Sequence, residues 1–259
     1  MAYWQDKFAF PNSIEWEYKY VGNYGAKGEK RAERKKATPE QIKKQNQKNR
    51  EKKVRRLIKA NFHPYDFWNC LKYPAGTRKT TEEYKKDLKD FLDKMRKEYK
   101  KLGEVFKFIY RMEISTKGGI HLHILINRLK KTDTDVLIQK CWKHGRVNFQ
   151  SIYECGGYER LANYIVKQPD ELEEEQLSLF PEEERKQYVK YSTSRNLVRP
   201  EPERKVYTRW TLRKLIEEGP KPTPGFYIDK ESIVCGINPY TGMSYYHYTE
   251  YRIKDSNRT

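Results

Sequence analysis

The stretch GGIHLHILIN, residues 118–127, sets His121 and His123 two positions apart in a run of apolar side chains. Alternate side chains of a strand share a face, so both imidazoles point one way while Ile120, Leu122 and Ile124 point the other. Such a pair is a candidate for metal ligation, but HxH alone is more often two ordinary polar side chains, and a site needs a third ligand. Glu113 is the candidate, eight residues before His121 on the preceding strand and across the turn STKGG. If the loop is Thr116, Lys117 and Gly118, with Gly118 left-handed, Ser115 faces Gly119 and Glu113 falls directly opposite His121, their Cβ atoms about 5 Å apart. A two-residue turn at Gly118 and Gly119 would turn the carboxylate to the wrong face. Two imidazoles and a carboxylate with open positions suit Mn²⁺ or Mg²⁺; the nitrogen ligands favour Mn²⁺ and cellular abundance favours Mg²⁺. With no third histidine and no thiolate expected nearby, a closed zinc site is disfavoured.

A second constellation is NYIVKQ, residues 163–168, where Tyr164 and Lys167 stand three apart on neighbouring positions of one helical face. A phenol, with a pKa of about 10, attacks phosphorus only with help from a cation or a polarised phosphate, and Lys167 could supply that charge or stabilise the oxyanion. In isolation YxxK is commonplace, a half-buried tyrosine beside a surface lysine. Tyr153, Tyr158, Tyr188 and Tyr191 also lie near enough in sequence to compete for the role of nucleophile.

The elements that must position these residues follow from periodicity. DFWNCLKY (66–73) reads as a strand, and residues 80–103 read as an amphipathic helix with Leu88, Phe91, Leu92 and Met95 on one side and Gly103 at its end. Strands over 104–115 and 120–127, a helix over 134–144, a strand over 146–153 and a helix over 157–168 complete the order βαββαβα. That order predicts an α+β fold, an RRM-like antiparallel central sheet with helices packed mainly on one face.

The chain carries 54 Lys and Arg against 36 Asp and Glu, and residues 1–62 alone hold 17 basic and 7 acidic side chains, a net of +10. This field favours a polyanion, and the 14% aromatic content, rich in tyrosine, offers faces on which bases can stack. Thr38, Pro39 and Gln41 form a capping box that opens a very basic helix running to about Ala60, with Ile42, Val54, Leu57 and Ile58 as its few apolar residues. Residues 1–62 are therefore expected to form a basic N-terminal arm that rides on duplex DNA phosphates, the competing reading being a solvated helix. The core is expected over 63–169. An acidic linker follows over 170–187, in a stretch with eight acidic residues, and then a small α/β extension over 188–259 with a short helix in TRWTLRKLIEEG and strands around NPYTG.

Cys70, Cys141, Cys155 and Cys235 lack CxxC spacing, which argues against a disulfide framework and a structural zinc site and fits a reducing, cytoplasmic setting. The start, MAYWQDKFAF, has no apolar signal region, no window approaches a membrane span, and no membrane partner is expected. No GxxxxGK[ST] occurs, so an ATP-driven helicase module is not expected in this chain.

Taken together, these motifs resemble the HUH endonucleases, and specifically the single-tyrosine rolling-circle replication initiator (Rep) proteins. The resemblance covers about residues 64–168. NCLKY (69–73) is similar to the first motif, with Asn69 and Lys72 where apolar and threonine residues are usual. HLH (121–123) matches the signature that names the superfamily, Glu113 stands where related Rep proteins carry the acidic third ligand, and YIVK (164–167) matches the tyrosine motif. NLVRP and the basic N-terminal region are loosely similar to segments of plasmid and phage Rep-like proteins.

The resemblance implies nicking and rejoining of single-stranded DNA at a replication origin. Mn²⁺ or Mg²⁺ would be held by Glu113, His121 and His123, and Tyr164, assisted by Lys167, would form a 5′-phosphotyrosine link and leave a free 3′-hydroxyl. The link conserves the phosphodiester energy, so rejoining needs no ATP and unwinding falls to a separate helicase of a bacterial host. A relaxase would use a third histidine. A single-tyrosine transposase tends to be smaller and to lack the long basic segment. A non-catalytic RRM-like nucleic-acid-binding protein would display aromatics where His121 and His123 stand.

Overall fold

The histidine pair lies on one strand of an antiparallel hairpin in a computed structural model that describes residues 3–22, 29–114, 119–130, 132–209 and 211–253. In chain order the elements are β1 (Tyr3–Ala9), β2 (Ser13–Tyr20), α1 (Pro39–Asn61), β3 (Phe67–Lys72), α2 (Thr81–Lys101), β4 (Phe108–Ile114) and β5 (Ile120–Ile126). There follow α3 (Thr134–Cys141), β6 (Val147–Ser151), α4 (Gly157–Val166), α5 (Glu171–Ser178), α6 (Glu182–Val189) and β7 (Tyr191–Thr193). The last elements are β8 (Glu203–Tyr207), α7 (Arg213–Glu218), β9 (Phe226–Asn238) and β10 (Met243–Arg252). The fold is α+β with two antiparallel sheets, and the expected βαββαβα order is the run from β3 to α4. Among the described residues no helix is long and apolar enough to cross a membrane.

One unit spans Asn46–Val198 and contains the sheet β6-β3-β5-β4-β7. Strand alternation divides its core in two. Leu71, Met112, Leu122 and Ile124 face α2 and α3, meeting Leu88, Phe91, Met95 and Ile138. Trp68, Ile109 and Leu125 face the other way, against Val54, Leu57 and Ile58 of α1 and Leu161 and Ile165 of α4. On this second face only the end holding Trp68, Ile109 and Leu125 is apolar. The other end carries Cys70, Arg111, Glu113, His121 and His123, side chains that a hydrophobic core would exclude unless paired.

The acidic stretch is not a free linker. It forms α5 and α6, with Asp170 and Glu173 closing a capping box at the start of α5 and Glu182, Glu183 and Glu184 in the first turn of α6. Carboxylates are favourable at these positive helix ends, and Leu177 and Tyr188 anchor the pair on the core shared with α2.

The other unit comprises Met1–Gln45 and Arg199–Thr259, with the sheet β8-β1-β2-β10-β9. Its core joins Tyr3, Tyr18 and Tyr20 to Met243, Tyr246 and Tyr248. Asp6 is buried but neutralised by Arg204, in a two-pronged contact of 2.6 and 2.9 Å, and by Lys19 at 2.8 Å. The expected division at residue 62 thus differs from the observed one. β1 and β2 pair with strands from the far end of the chain, and the last turns of α1 bury Val54, Leu57 and Ile58 in the first unit. The capping box that opens α1 is present, with Gln41 N donating to Thr38 Oγ1 at 3.3 Å and Thr38 N to Gln41 Oε1 at 3.0 Å.

One core position breaks the pattern. Asn69 is fully buried on β3 between Phe67 and Leu71, and neither its amide oxygen nor its nitrogen has a hydrogen-bond partner among the described residues. An unpaired buried amide costs about 1–3 kcal/mol. Asn69→Val is therefore expected to raise the denaturation midpoint by an amount in that range without changing the denaturant slope. A lowered midpoint would show that the amide is satisfied after all.

Candidate metal and tyrosine site

β4 and β5 pair with Glu113 opposite His121 and Ile114 opposite Ile120, the register that puts carboxylate and imidazole on one face. The turn on which the expected three-residue loop depends, residues 115–118, lies outside the described residues. On the other side of β5, β3 sets Cys70 opposite His123 and Lys72 opposite His121. Side chains from three strands therefore meet in a cleft of about 890 Å³, walled by α4 through Tyr164.

The contacts inside it are short. Tyr164 donates its hydroxyl proton to Glu113 Oε2 at 2.7 Å, and the same hydroxyl lies 3.2 Å from His123 Nε2. His123 Nε2 is also 3.2 Å from Glu113 Oε2 and 3.8 Å from Cys70 Sγ. Trp68 stacks on the His123 ring at 5.5 Å and 20°, and meets Tyr164 edge-on. Cys70 Sγ and a ring nitrogen each from His121 and His123 all lie within 4.8 Å of one another; among the described residues, no such cluster of potential ligands includes Glu113. The expectation that no thiol lies near the histidines is thus overturned. The donor set suits a divalent ion, and His123 Nδ1 is buried without a hydrogen-bond partner among the described residues.

Electrostatics follow from this crowding. Burial opposes the His123 imidazolium, but its contacts with Cys70 and Glu113 prevail and push its pKa up to about 9. Burial would raise the Glu113 carboxyl, yet the hydrogen bonds from His123 and Tyr164 and the charges of His123 and Arg111 hold it below the usual range. Burial, the charge of His123 and that of Lys72 lower His121. Burial and the adjacent Glu113 carboxylate raise the Tyr164 phenol well above its ordinary value, so in this arrangement it keeps its proton.

Arg111 organises the site from below. Its side chain is 2% exposed; Nε is 3.0 Å from Glu113 Oε1, and Nη1 donates to the carbonyls of Tyr164, Ile165 and Lys167 at 3.2, 3.1 and 2.7 Å. Gln47 Nε2 donates to the Val166 carbonyl at 2.9 Å. The end of α4, whose carbonyls would otherwise lack partners, is thereby fastened to the strand that carries Glu113.

Lys167 is not where the YxxK spacing puts it. α4 ends at Val166, Lys167 is its C-cap with extended backbone, and its ammonium turns to Asp170 Oδ2 at 3.2 Å and Glu173 Oε1 at 3.3 Å. Burial works against its charge, but these carboxylates raise its pKa. Of the competing tyrosines, Tyr158 donates to the Phe62 carbonyl, Tyr188 is buried against Thr81, Tyr153 sits beside Tyr65, and Tyr191 belongs to β7; Tyr164 alone among the five lines the cleft. Sequence reasoning missed Cys70, Arg111 and Trp68.

Fold and site define an antiparallel α+β core that presents paired histidines, acid, thiol and tyrosine at one polar end of its sheet. Residues 66–169, less than half the chain, match a family of replication-associated proteins typified by the ORF2 protein, which is of rolling-circle Rep type. No curated protein and no solved structure shows a significant match. The family match associates this core with DNA replication.

Proposed function

We propose that the Asn46–Val198 unit nicks and rejoins single-stranded DNA at a replication origin, with Tyr164 as the nucleophile. The observation that carries this reading is the Tyr164 hydroxyl held 2.7 Å from a carboxylate and 3.2 Å from an imidazole, inside a cleft that also offers a metal-ligand set. In the reaction Tyr164 Oη forms a bond to phosphorus as the bond to the 3′-oxygen breaks. The phenolic proton passes to Glu113, and the 3′-oxygen leaves as a hydroxyl after taking a proton from solvent or His123. The reverse attack of a 3′-hydroxyl rejoins the strand without ATP. A bound Mn²⁺ or Mg²⁺, held by His121, His123 and an anionic neighbour, would supply polarisation of the scissile phosphate.

Lys72 and the exposed Arg160 line the cleft and suit phosphate, while exposed Asn148 and Gln150 on the edge strand β6 suit base edges. Lys43, Lys44, Lys48, Arg50 and Lys53 are exposed along α1 and suit duplex phosphates beside the nick. Opening of that duplex would fall to a host helicase.

The test is a covalent adduct. Incubated with a labelled random single-stranded DNA library and Mn²⁺ or Mg²⁺, the protein is expected to retain label through SDS, and EDTA is expected to abolish that retention. Absence of adduct with either ion would overturn the proposal.

A further inference from the structure

We propose that the third metal ligand of this cleft is the Cys70 thiolate, with Glu113 standing outside the coordination shell as proton acceptor for Tyr164. The inference rests on reading the histidine pair as a metal site and is independent of whether that site cleaves DNA. Ligands of a tetrahedral ion bound at roughly 2.0–2.3 Å lie about 3.5 Å from one another. Cys70 Sγ is already 3.8 Å from His123 Nε2, and the sulfur and the two ring nitrogens fall within 4.8 Å, so small rotations of three side chains would close the shell.

Glu113 is differently placed. One oxygen is 3.0 Å from the Arg111 guanidinium and the other accepts from Tyr164 at 2.7 Å, so entering the shell would break contacts that orient the tyrosine. A carboxylate 3.2 Å from a ligating imidazole has a recognised role of its own, orienting the ring and raising its basicity. The strand geometry enforces this difference. Cys70 faces His123 from one side of β5 and Glu113 faces His121 from the other, and of these two anionic candidates only Glu113 is already engaged by a guanidinium.

A thiolate with two imidazoles favours Zn²⁺ or Co²⁺ over Mg²⁺, since sulfur is a soft donor and Mg²⁺ seeks oxygen. Cobalt makes the proposal visible. Co²⁺ added to the full-length protein is expected to give a near-ultraviolet thiolate-to-cobalt charge-transfer band that saturates at one equivalent and is displaced by Zn²⁺. Cys70→Ser is expected to remove the band and to weaken Co²⁺ binding more than about a hundredfold, whereas Glu113→Gln should keep the band with a loss within the roughly 10–100-fold range typical of an outer partner. Cys155, the other thiol lining the cleft, serves as the control, and Cys155→Ser should keep the band.

A band that persists in Cys70→Ser, or disappears in Cys155→Ser alone, overturns the assignment, as does Co²⁺ binding by the wild type with no thiolate band. Circular dichroism of each variant verifies folding. If Cys70→Ser does not fold, alkylation supplies the readout: Zn²⁺ should slow iodoacetamide modification of Cys70 in the wild type, and an unchanged rate overturns the proposal. DNA cleavage without a thiolate band would leave the nuclease reading standing and remove only the cysteine, and the converse result would do the opposite.

Discussion

Tyr164→Phe is expected to abolish the covalent protein–DNA adduct while leaving the fold, metal binding and single-strand affinity close to wild type. The ring is 37% exposed and packs edge-on against Trp68 and His123, and phenylalanine keeps that packing. What is lost is one hydroxyl with its bond to Glu113, worth about 0.5–1.5 kcal/mol, and Glu113 retains Arg111 and His123 as partners. The chemical loss is total by comparison, because no other described side chain lining the cleft offers an oxygen nucleophile with a proton acceptor already in place. The same carboxylate that receives the proton holds the phenol neutral in the resting state, so activation must coincide with arrival of the phosphate. The measurement is adduct yield on a labelled single strand, with melting temperature and fluorescence anisotropy as controls. An adduct that survives in Tyr164→Phe, with label recovered on Tyr158 or Tyr191, would refute the assignment of the nucleophile.

The parts of this site that lie close in sequence were legible there, and those assembled by sheet pairing were not. Glu113, His121 and His123 share one hairpin, so period-two alternation and a turn length were enough to place carboxylate opposite imidazole. Cys70 reaches His123 only because β3 pairs with β5, a lateral neighbour relation that no local pattern encodes. Arg111 is likewise an ordinary basic residue in a strand until the end of α4 is laid over it. For Lys167 a signal was present and unused: Pro169 disfavours helical backbone at the residue before it, which ends α4 at Val166 and frees the lysine to meet the acidic helix. At the N terminus, counting charge over 62 residues hid the alternation of Ile14, Trp16, Tyr18 and Tyr20, and the strands that pair with it lie near the other end of the chain. Helices bounded by Thr38 and Thr80 were read nearly to the residue, because capping boxes are local chemistry.

Arg111→Met is expected to destabilise the protein by about 3–5 kcal/mol, the usual cost of removing one partner from a buried ionic contact, and to lower adduct formation even where the variant is folded. Methionine fills much of the volume, so the loss is chiefly polar. Glu113 gives up a cation 3.0 Å away, and the carbonyls of Tyr164, Ile165 and Lys167, which carry the negative end of the helix dipole, give up their donor in a buried setting. The end of α4 then has only Gln47 to hold Val166, and Tyr164 is no longer fixed over the histidines. Arg111→Lys keeps the charge but cannot serve carboxylate and carbonyls at once with a planar fork, so it should recover only part of the stability and less of the adduct rate. Urea denaturation gives the stability, and single-turnover adduct formation well below the melting temperature gives the positioning effect. A wild-type adduct rate in folded Arg111→Met would mean that α4 holds its tyrosine without this clamp, and a stability change under about 1 kcal/mol would mean that the buried guanidinium is no better than an apolar side chain in its place.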